Sequence, residues 1–121
     1  MPIVMHHEAD NIYRLDISGV LRRAEFKQCE AELESELGRA GSAKLLCVLT
    51  AFEGWEPHAD WNDLAFYVKN GDAIERIAIV GDDRWRDLTM MFASADLRSA
   101  PVEFFAENDI EKARAWLGRE G

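Results

Sequence analysis

Four carboxylates surround a proline in the stretch FEGWEPHADWNDL, and paired carboxylates are the residues that general acid–base catalysis uses. They are Glu53, Glu56, Asp60 and Asp63. Nothing in their spacing brings two of them face to face, whereas all four lie close to the point where Pro57 indicates that a helix begins. Carboxylates near a helix N-terminus are stabilised by the helix dipole. The pattern therefore predicts helix capping rather than catalysis.

Two stretches combine histidine with carboxylate residues, which are residue types that ligate metal ions. His58 is two residues from Asp60, and His6 and His7 precede Glu8. Residues two apart on a helix point in different directions, and consecutive strand residues point to opposite faces. A zinc site needs three or four converging ligands. These histidines are therefore predicted to be surface residues, and no metal site is expected.

The segment GDD, residues 81–83, follows a predicted strand, where ligands often bind in open α/β sheets. Two aspartates would repel a phosphate, and no GxGxxG, GxxxxGK or GxSxG sequence is present. Asp82 or Asp83 is instead predicted to cap a helix. With no catalytic constellation in the sequence, we expect no enzyme activity and no cofactor.

Length and composition are those of one globular domain spanning residues 1–121, with 48% hydrophobic and 31% charged residues. The net charge of -9 argues against nucleic acid and against anionic membrane surfaces. Cys29 and Cys47 are too few for a disulfide framework and are predicted to be buried free thiols. The start MPIVMHHEAD has no signal-peptide pattern and no apolar run is long enough to span a bilayer, so we expect a cytoplasmic protein.

Apolar periodicity predicts nine elements in the order β-β-α-β-α-β-α-β-α. The predicted strands are Ile3–His7, Ile12–Ser18, Lys44–Phe52, Ile77–Val80 and Val102–Ala106. The inward-facing residues of the four predicted helices are, in chain order, Phe26, Cys29, Leu33 and Leu37; Trp61, Leu64, Ala65 and Val68; Trp85, Leu88, Phe92 and Ala95; and Ile110, Ala113 and Leu117. Strands alternating with helices predict an α/β fold with a mostly parallel five-stranded sheet, to which the opening hairpin adds one antiparallel edge strand.

Some bulky apolar residues do not fit the predicted core. Phe66 and Met90 lie opposite the inward stripes of the second and third predicted helices, Tyr67 and Met91 flank those stripes, and Trp55 precedes the second helix. Consecutive helices on a parallel sheet are commonly neighbours, so these five residues are predicted to form one apolar patch. Such patches mark binding surfaces. A scatter of unrelated exposed side chains is the alternative.

The succession of FEGWEPHADWNDL, ERIAIVGDDRW and VEFFAENDIEKARAWL resembles the SpoIIAA-like family, which is related to the STAS domains of sulfate transporters and anti-sigma-factor antagonists. The resemblance covers nearly the whole chain and implies a STAS-type fold, similar to the CRAL-TRIO or Sec14 lipid-carrying fold. In regulatory STAS proteins, a phosphorylated serine at the start of the second helix switches kinase binding. The segment GWEPHADWND has no serine or threonine and Thr50 lies in a strand, so we expect no such switch.

These features predict a non-enzymatic binding or regulatory module that uses the patch against a protein partner or a second copy of itself. The alternative is a carrier or sensor of a small apolar ligand, such as a fatty acid or isoprenoid, held between the sheet and the second and third helices. Ligand pockets of this kind are mostly apolar with a few polar groups. Arg84 or Arg86 would then pair with an acidic head group.

Overall fold

The computed structural model describes residues 3–59, 61, 71–93 and 100–118. Five strands form one sheet in the order β1-β2-β3-β4-β5. The strands are β1 Ile3–Ala9, β2 Ile12–Leu21, β3 Ala43–Trp55, β4 Ile74–Gly81 and β5 Val102–Ala106, and the α-helices are α1 Arg23–Ala40, α2 Arg86–Phe92 and α3 Ile110–Leu117. Most of the predicted second helix lies outside the described residues, so α2 is the third helix of the sequence prediction.

The sheet has the predicted architecture. β1 runs antiparallel to β2 at one edge, whereas β2, β3, β4 and β5 are all parallel. The alternation in β2 sets its orientation, because Tyr13, Leu15 and Ile17 are all buried. The predicted end of this strand at Ser18 is wrong: β2 continues to Leu21, and Gly19 adopts φ +60° between two register shifts. A glycine inside a strand pattern marked a bulge here rather than a stop.

Helices cover both faces of the sheet. On one face, Cys29, Leu33 and Leu37 of α1 belong to the larger core, and part of α2 packs against the same core. On the other face, Ala113 and Leu117 of α3 pack with residues of β3 and β4. The uninterrupted apolar run of β3 is explained by this arrangement, since a strand covered on both faces needs apolar residues in both registers.

The inward face of α2 differs from the prediction. Leu88, predicted to face the core, is 48% exposed, whereas Thr89 is 5% exposed and Met90 is half-buried against the core. A 3₁₀ turn ending at Trp85 precedes the helix. Each 3₁₀ residue advances about 120° against about 100° in an α-helix, which rotates the following helix relative to an ideal wheel. The prediction that Met90 faces outward is therefore wrong.

Two of the carboxylates predicted to cap helices do accept backbone N–H groups, but one of them caps a different helix from the one predicted. Asp82 accepts a hydrogen bond from the backbone N–H of Arg84 at 3.0 Å, as expected for a helix start. Glu56 instead accepts the backbone N–H of Arg23, the first residue of α1, at 3.0 Å. The carbonyl oxygen of Glu56 accepts the indole N–H of Trp61, also at 3.0 Å. Glu56 therefore ties the end of β3 to the start of α1.

Candidate functional site

An apolar cavity of about 120 Å³, partly open to solvent, lies between the sheet and α2. The sheet contributes residues of β2, β3 and β4 that face α1 and α2, and the other side is formed mainly by aromatic residues. The described residues that line it are Leu15, Ile17, Leu21, Phe26, Leu45, Cys47, Leu49, Phe52, Trp55, Ile77, Ile79, Thr89, Phe92 and Ala93. None of these described lining residues carries a charge.

Six aromatic rings, called here the aromatic cluster, pack together beside the cavity, and four of them line it: Phe26, Phe52, Trp55 and Phe92. The six rings are Phe26, Phe52, Trp55, Trp61, Trp85 and Phe92, and each contacts at least one other ring of the set with centroids 4.8–5.9 Å apart. Most of these pairs are edge-to-face, the arrangement that aromatic quadrupoles favour. The rings come from α1, β3, the turn after β3, the 3₁₀ turn before α2 and α2 itself, so the cluster holds these elements together.

The end of β3 reaches the cavity through an irregular backbone. Phe52 pairs with Gly19, and Trp55 pairs with Leu21, with register shifts before and between these pairs. Ala51 adopts φ +51° and Gly54 adopts φ +106°, both in the region that favours glycine. Bulges turn side chains away from the regular alternation. Here they allow Phe52 and Trp55, three residues apart, to contact each other edge-to-face with centroids 5.1 Å apart.

Two of the described lining residues have a side-chain nitrogen or oxygen. The hydroxyl of Thr89 donates within α2, to the carbonyl oxygen of Trp85 at 2.7 Å or of Arg86 at 3.2 Å. The indole N–H of Trp55 is buried and has no hydrogen-bond partner in the part of the chain that the structure describes. Because buried donors are nearly always paired in proteins, this unpaired N–H needs an explanation.

The volume of the cavity limits what it can hold. An engineered apolar cavity of about 150 Å³ binds benzene. A space of about 120 Å³ therefore matches a single small ring or a short branched chain, and a whole fatty acid would extend beyond it. Cys47, predicted to be buried in the middle of β3, is only half-buried, although β3 is covered on both faces. Its place in the cavity lining accounts for this exposure.

The predicted patch residues have different positions. Trp55 lines the cavity as part of the aromatic cluster. Met91 is 74% exposed, as expected, whereas Met90 packs against the core. Phe66 and Tyr67 lie outside the described residues. The role of these five residues in binding stays a prediction.

The arginines predicted to hold a ligand head group have other contacts. The guanidinium of Arg84 lies 5.2 Å from the ring centre of Trp85. Arg86 donates from Nε to Asp83 Oδ1 at 2.9 Å, and its guanidinium lies 4.8 Å from the ring centre of Phe104. Neither arginine is among the described residues that line the cavity. Their proposed role as anchors gains no support from this geometry.

The histidines have surface positions. His6 is exposed with Nε2 3.2 Å from Asp16 Oδ2, and His58 is exposed in a turn. Among the described residues, no group of three or more His, Cys, Asp or Glu side chains is arranged to hold a metal ion. In the same part of the chain, no helix combines the length and the apolar composition needed to cross a membrane.

Sequence reasoning missed three residues of the cavity for different reasons. Cys47 sits in an apolar run whose pattern is the same whether the strand is packed tightly or borders a space. Thr89 was not among the residues predicted to face inward on its helix. Phe52 was taken as the end of a strand that in fact continues to Trp55. The GW pair at residues 54–55 was the available signal, because glycine in an extended segment often marks a bulge.

Comparison with known proteins agrees with this fold. A family model described as SpoIIAA-like matches residues 12–118. Among solved structures, the chain is similar to an uncharacterized protein from the DUF3478 family with a SpoIIAA-like fold, from Shewanella loihica PV-4, with a TM-score of 0.72 and 24% sequence identity over 95% of this chain and 91% of that chain. At this identity the likeness shows the fold alone. No curated protein matches the chain.

Proposed function

Since this chain belongs to the SpoIIAA-like family, a family match that indicates no reaction, we propose that it is a non-catalytic module that binds a small apolar ligand in the cavity between the sheet and α2. One observation carries the proposal: a space of about 120 Å³ beneath α2 whose described lining residues are all uncharged and mostly aliphatic or aromatic. Ligand sites in proteins commonly have this apolar lining with a few polar groups.

The energetic argument starts from the cost of leaving the space unfilled. Protein interiors are close-packed, and a residual cavity lowers the free energy of unfolding by about 24 cal/mol per Å³. For an enclosed space of 120 Å³ the penalty is about 3 kcal/mol, and because this cavity is partly open to solvent that value is an upper limit. A ligand that fills the cavity removes most of this penalty, so a molecule of matching size and low polarity is expected to bind and to stabilise the fold.

The test is a titration with toluene, a probe of the right size with no hydrogen-bonding group. We expect saturable shifts in the methyl resonances of the cavity residues Leu15, Ile77 and Ile79, and a higher unfolding temperature at saturating probe, because the ligand binds only the folded state. The methyl groups of Val48 and Leu117, in the core on the other face of the sheet, are the internal control. Absence of a saturable shift at the cavity methyl groups contradicts the proposal.

A second candidate function is docking of a protein partner, or of a second copy of the chain, on the outer face of α2. Leu88 and Met91 are one helical turn apart on this face and are 48% and 74% exposed. Exposed leucine and methionine side chains next to one another are typical of contact surfaces. Sedimentation of the wild type and of Met91→Asp over a range of concentrations tests self-association. An identical monomer for both removes the dimer form of this candidate.

A further inference from the structure

The edge of the sheet at β1 is open to a further strand. β1 is the first strand in the sheet order and pairs with β2 alone. On one side of any edge strand, the backbone N–H and C=O groups have no neighbouring strand to pair with. Within the described chain, no backbone–backbone hydrogen bond outside the sheet involves a residue of β1. An extended segment that lies along this edge would therefore have backbone groups to pair with.

A groove of about 290 Å³ lies between β1 and α1. On the β1 side it is bordered by the first three residues of the strand, which are all apolar. Because their side chains alternate between the two faces of the sheet, the groove reaches the edge of the strand itself. On the α1 side it is bordered by Glu25, Gln28, Cys29 and Glu32. These residues are three or four apart and form one stripe along the helix, towards which an added strand would point alternate side chains.

Charge decides between a second copy of the chain and a different partner. The described lining of the groove carries two carboxylates, Glu25 and Glu32, and no basic side chain, in a chain of net charge -9. If two copies paired antiparallel through β1, their two-fold axis would be perpendicular to the sheet, and both α1 helices would lie on the same face. The carboxylates of the two copies would then approach one another, which is unfavourable. A chain with lysine or arginine at the groove would have the opposite, favourable interaction.

We propose that β1 is a docking edge for an extended segment of another protein, with lysine or arginine at alternate positions. The segment pairs with the backbone of β1, and its basic side chains lie along the groove with their charged groups beside Glu25 and Glu32. The long methylene chains of these side chains suit a groove whose remaining lining is mostly apolar. None of the described residues of this groove lines the cavity beneath α2, so the inference does not depend on the proposed function.

Peptides test this docking directly. The probe is an acetylated and amidated peptide as long as β1, in which lysine and valine alternate. One control peptide has glutamate in place of lysine, and another has a methyl group on every backbone nitrogen, which keeps the charges and removes the N–H donors. We expect the lysine peptide to shift the amide resonances of β1 and to slow their hydrogen exchange, while the amides of β5, at the opposite edge, do not respond. Each control peptide should bind at least about tenfold more weakly, because one loses the attraction to the carboxylates and the other loses several backbone hydrogen bonds.

Matched charge reversals in the protein locate the contact. Glu32 is exposed on α1 and lines the groove, whereas Glu103 is exposed on β5 and is not among its described lining residues. Glu32→Lys and Glu103→Lys change the net charge equally, and both replace exposed side chains, so neither should unfold the chain. Glu32→Lys should weaken binding of the lysine peptide roughly two- to tenfold, and Glu103→Lys should weaken it less than about twofold. Glu25 is less suitable for this test, because Arg22 Nε lies 4.0 Å from its carboxylate.

The alternatives give different results. Equal binding of the methylated peptide means that the contact is not strand addition, and equal binding of the glutamate peptide means that the assigned charge is wrong; either result overturns the proposal. If the wild-type chain alone forms a dimer in sedimentation and its β1 amides become protected as its concentration rises, the occupant is a second copy. If no peptide changes the β1 amides, this edge does not dock a basic strand. Toluene binding to the cavity is measured separately, so failure of the docking edge and failure of the proposed function are distinguishable.

Discussion

A substitution that fills the cavity with a larger lining side chain should stabilise the protein and abolish ligand binding. Cys47 lies on the central strand and lines the cavity. Cys47→Leu adds two heavy atoms to the side chain, and each buried CH₂ contributes about 0.8 kcal/mol. Part of this gain is lost to imperfect fit, so we expect the free energy of unfolding to rise by about 1 kcal/mol.

The assays are urea unfolding and a toluene titration. A gain of about 1 kcal/mol corresponds to an increase of about 3–5 °C in Tm for a domain of this size. Toluene should no longer raise Tm, because the space that is left is smaller than its ring. A variant that is more stable and has lost binding cannot be explained by a damaged fold, which is the usual difficulty with substitutions that abolish function.

Cys29→Leu is the matched control. Cys29 is 7% exposed in α1 and lines a separate pocket beside Ile3 and Met5, so the same chemical change there should leave toluene binding to the cavity intact. Two results would refute the reasoning. A loss of more than about 1 kcal/mol in Cys47→Leu means that the space beside Cys47 is already filled. Unchanged toluene binding in that variant means that the probe binds elsewhere.

Four further expectations follow from single features. Glu56→Ala should lower the free energy of unfolding by about 1 kcal/mol in urea titrations, because it leaves the backbone N–H of Arg23 unpaired, while the exposed Glu53→Ala should change it little. Gly54→Ala should cost about 1–3 kcal/mol in the same assay, since φ is +106° there. Burial raises the pKa of Cys29 to about 12, with Glu32 and Glu30 contributing, so the stability present below pH 9 should fall as the pH rises from 9 towards 12, and the decline should be shallower in Cys29→Ala. Met91→Asp should leave Tm within about 1 °C of wild type, because a surface substitution at a side chain that is 74% exposed removes little packing; a larger loss means that Met91 is part of the core.

Most of the fold was predictable from local sequence patterns. Alternation placed Tyr13, Leu15 and Ile17 on the buried face of β2, and the apolar run of β3 indicated a strand covered on both sides. These inferences succeed because the side-chain period of a strand is fixed by its geometry. The lengths of the strands were underestimated because the predicted ends, Ser18 and Phe52, precede Gly19 and Gly54, and each of these glycines lies within a strand at a positive φ.

The features that make the cavity depend on long-range contacts. Glu56 caps a helix that begins 33 residues earlier in the chain, a partnership that no local motif encodes. The orientation of α2 depends on the 3₁₀ turn that precedes it, which moved Thr89 inward and Leu88 outward. The cavity itself has no signature in the sequence, because Leu15 or Cys47 would occupy the same registers whether the space were filled or empty.

The two candidate functions share one element. One face of α2 presents Thr89 and Phe92 to the cavity, and its other face presents Leu88 and Met91 outward. A ligand that binds the cavity therefore contacts the same helix that a docking partner would contact. Ligand binding and partner binding are coupled only if α2 has different preferred positions with and without ligand. Hydrogen exchange of the α2 amides decides this. If toluene slows exchange in α2 and in the α1 segment around Leu33 equally, binding stabilises the whole fold and the outer face does not sense the ligand. If the slowing of exchange is confined to α2, ligand binding in the cavity changes how Leu88 and Met91 are exposed. A docking partner should then bind the ligand-free and ligand-bound forms with different affinities.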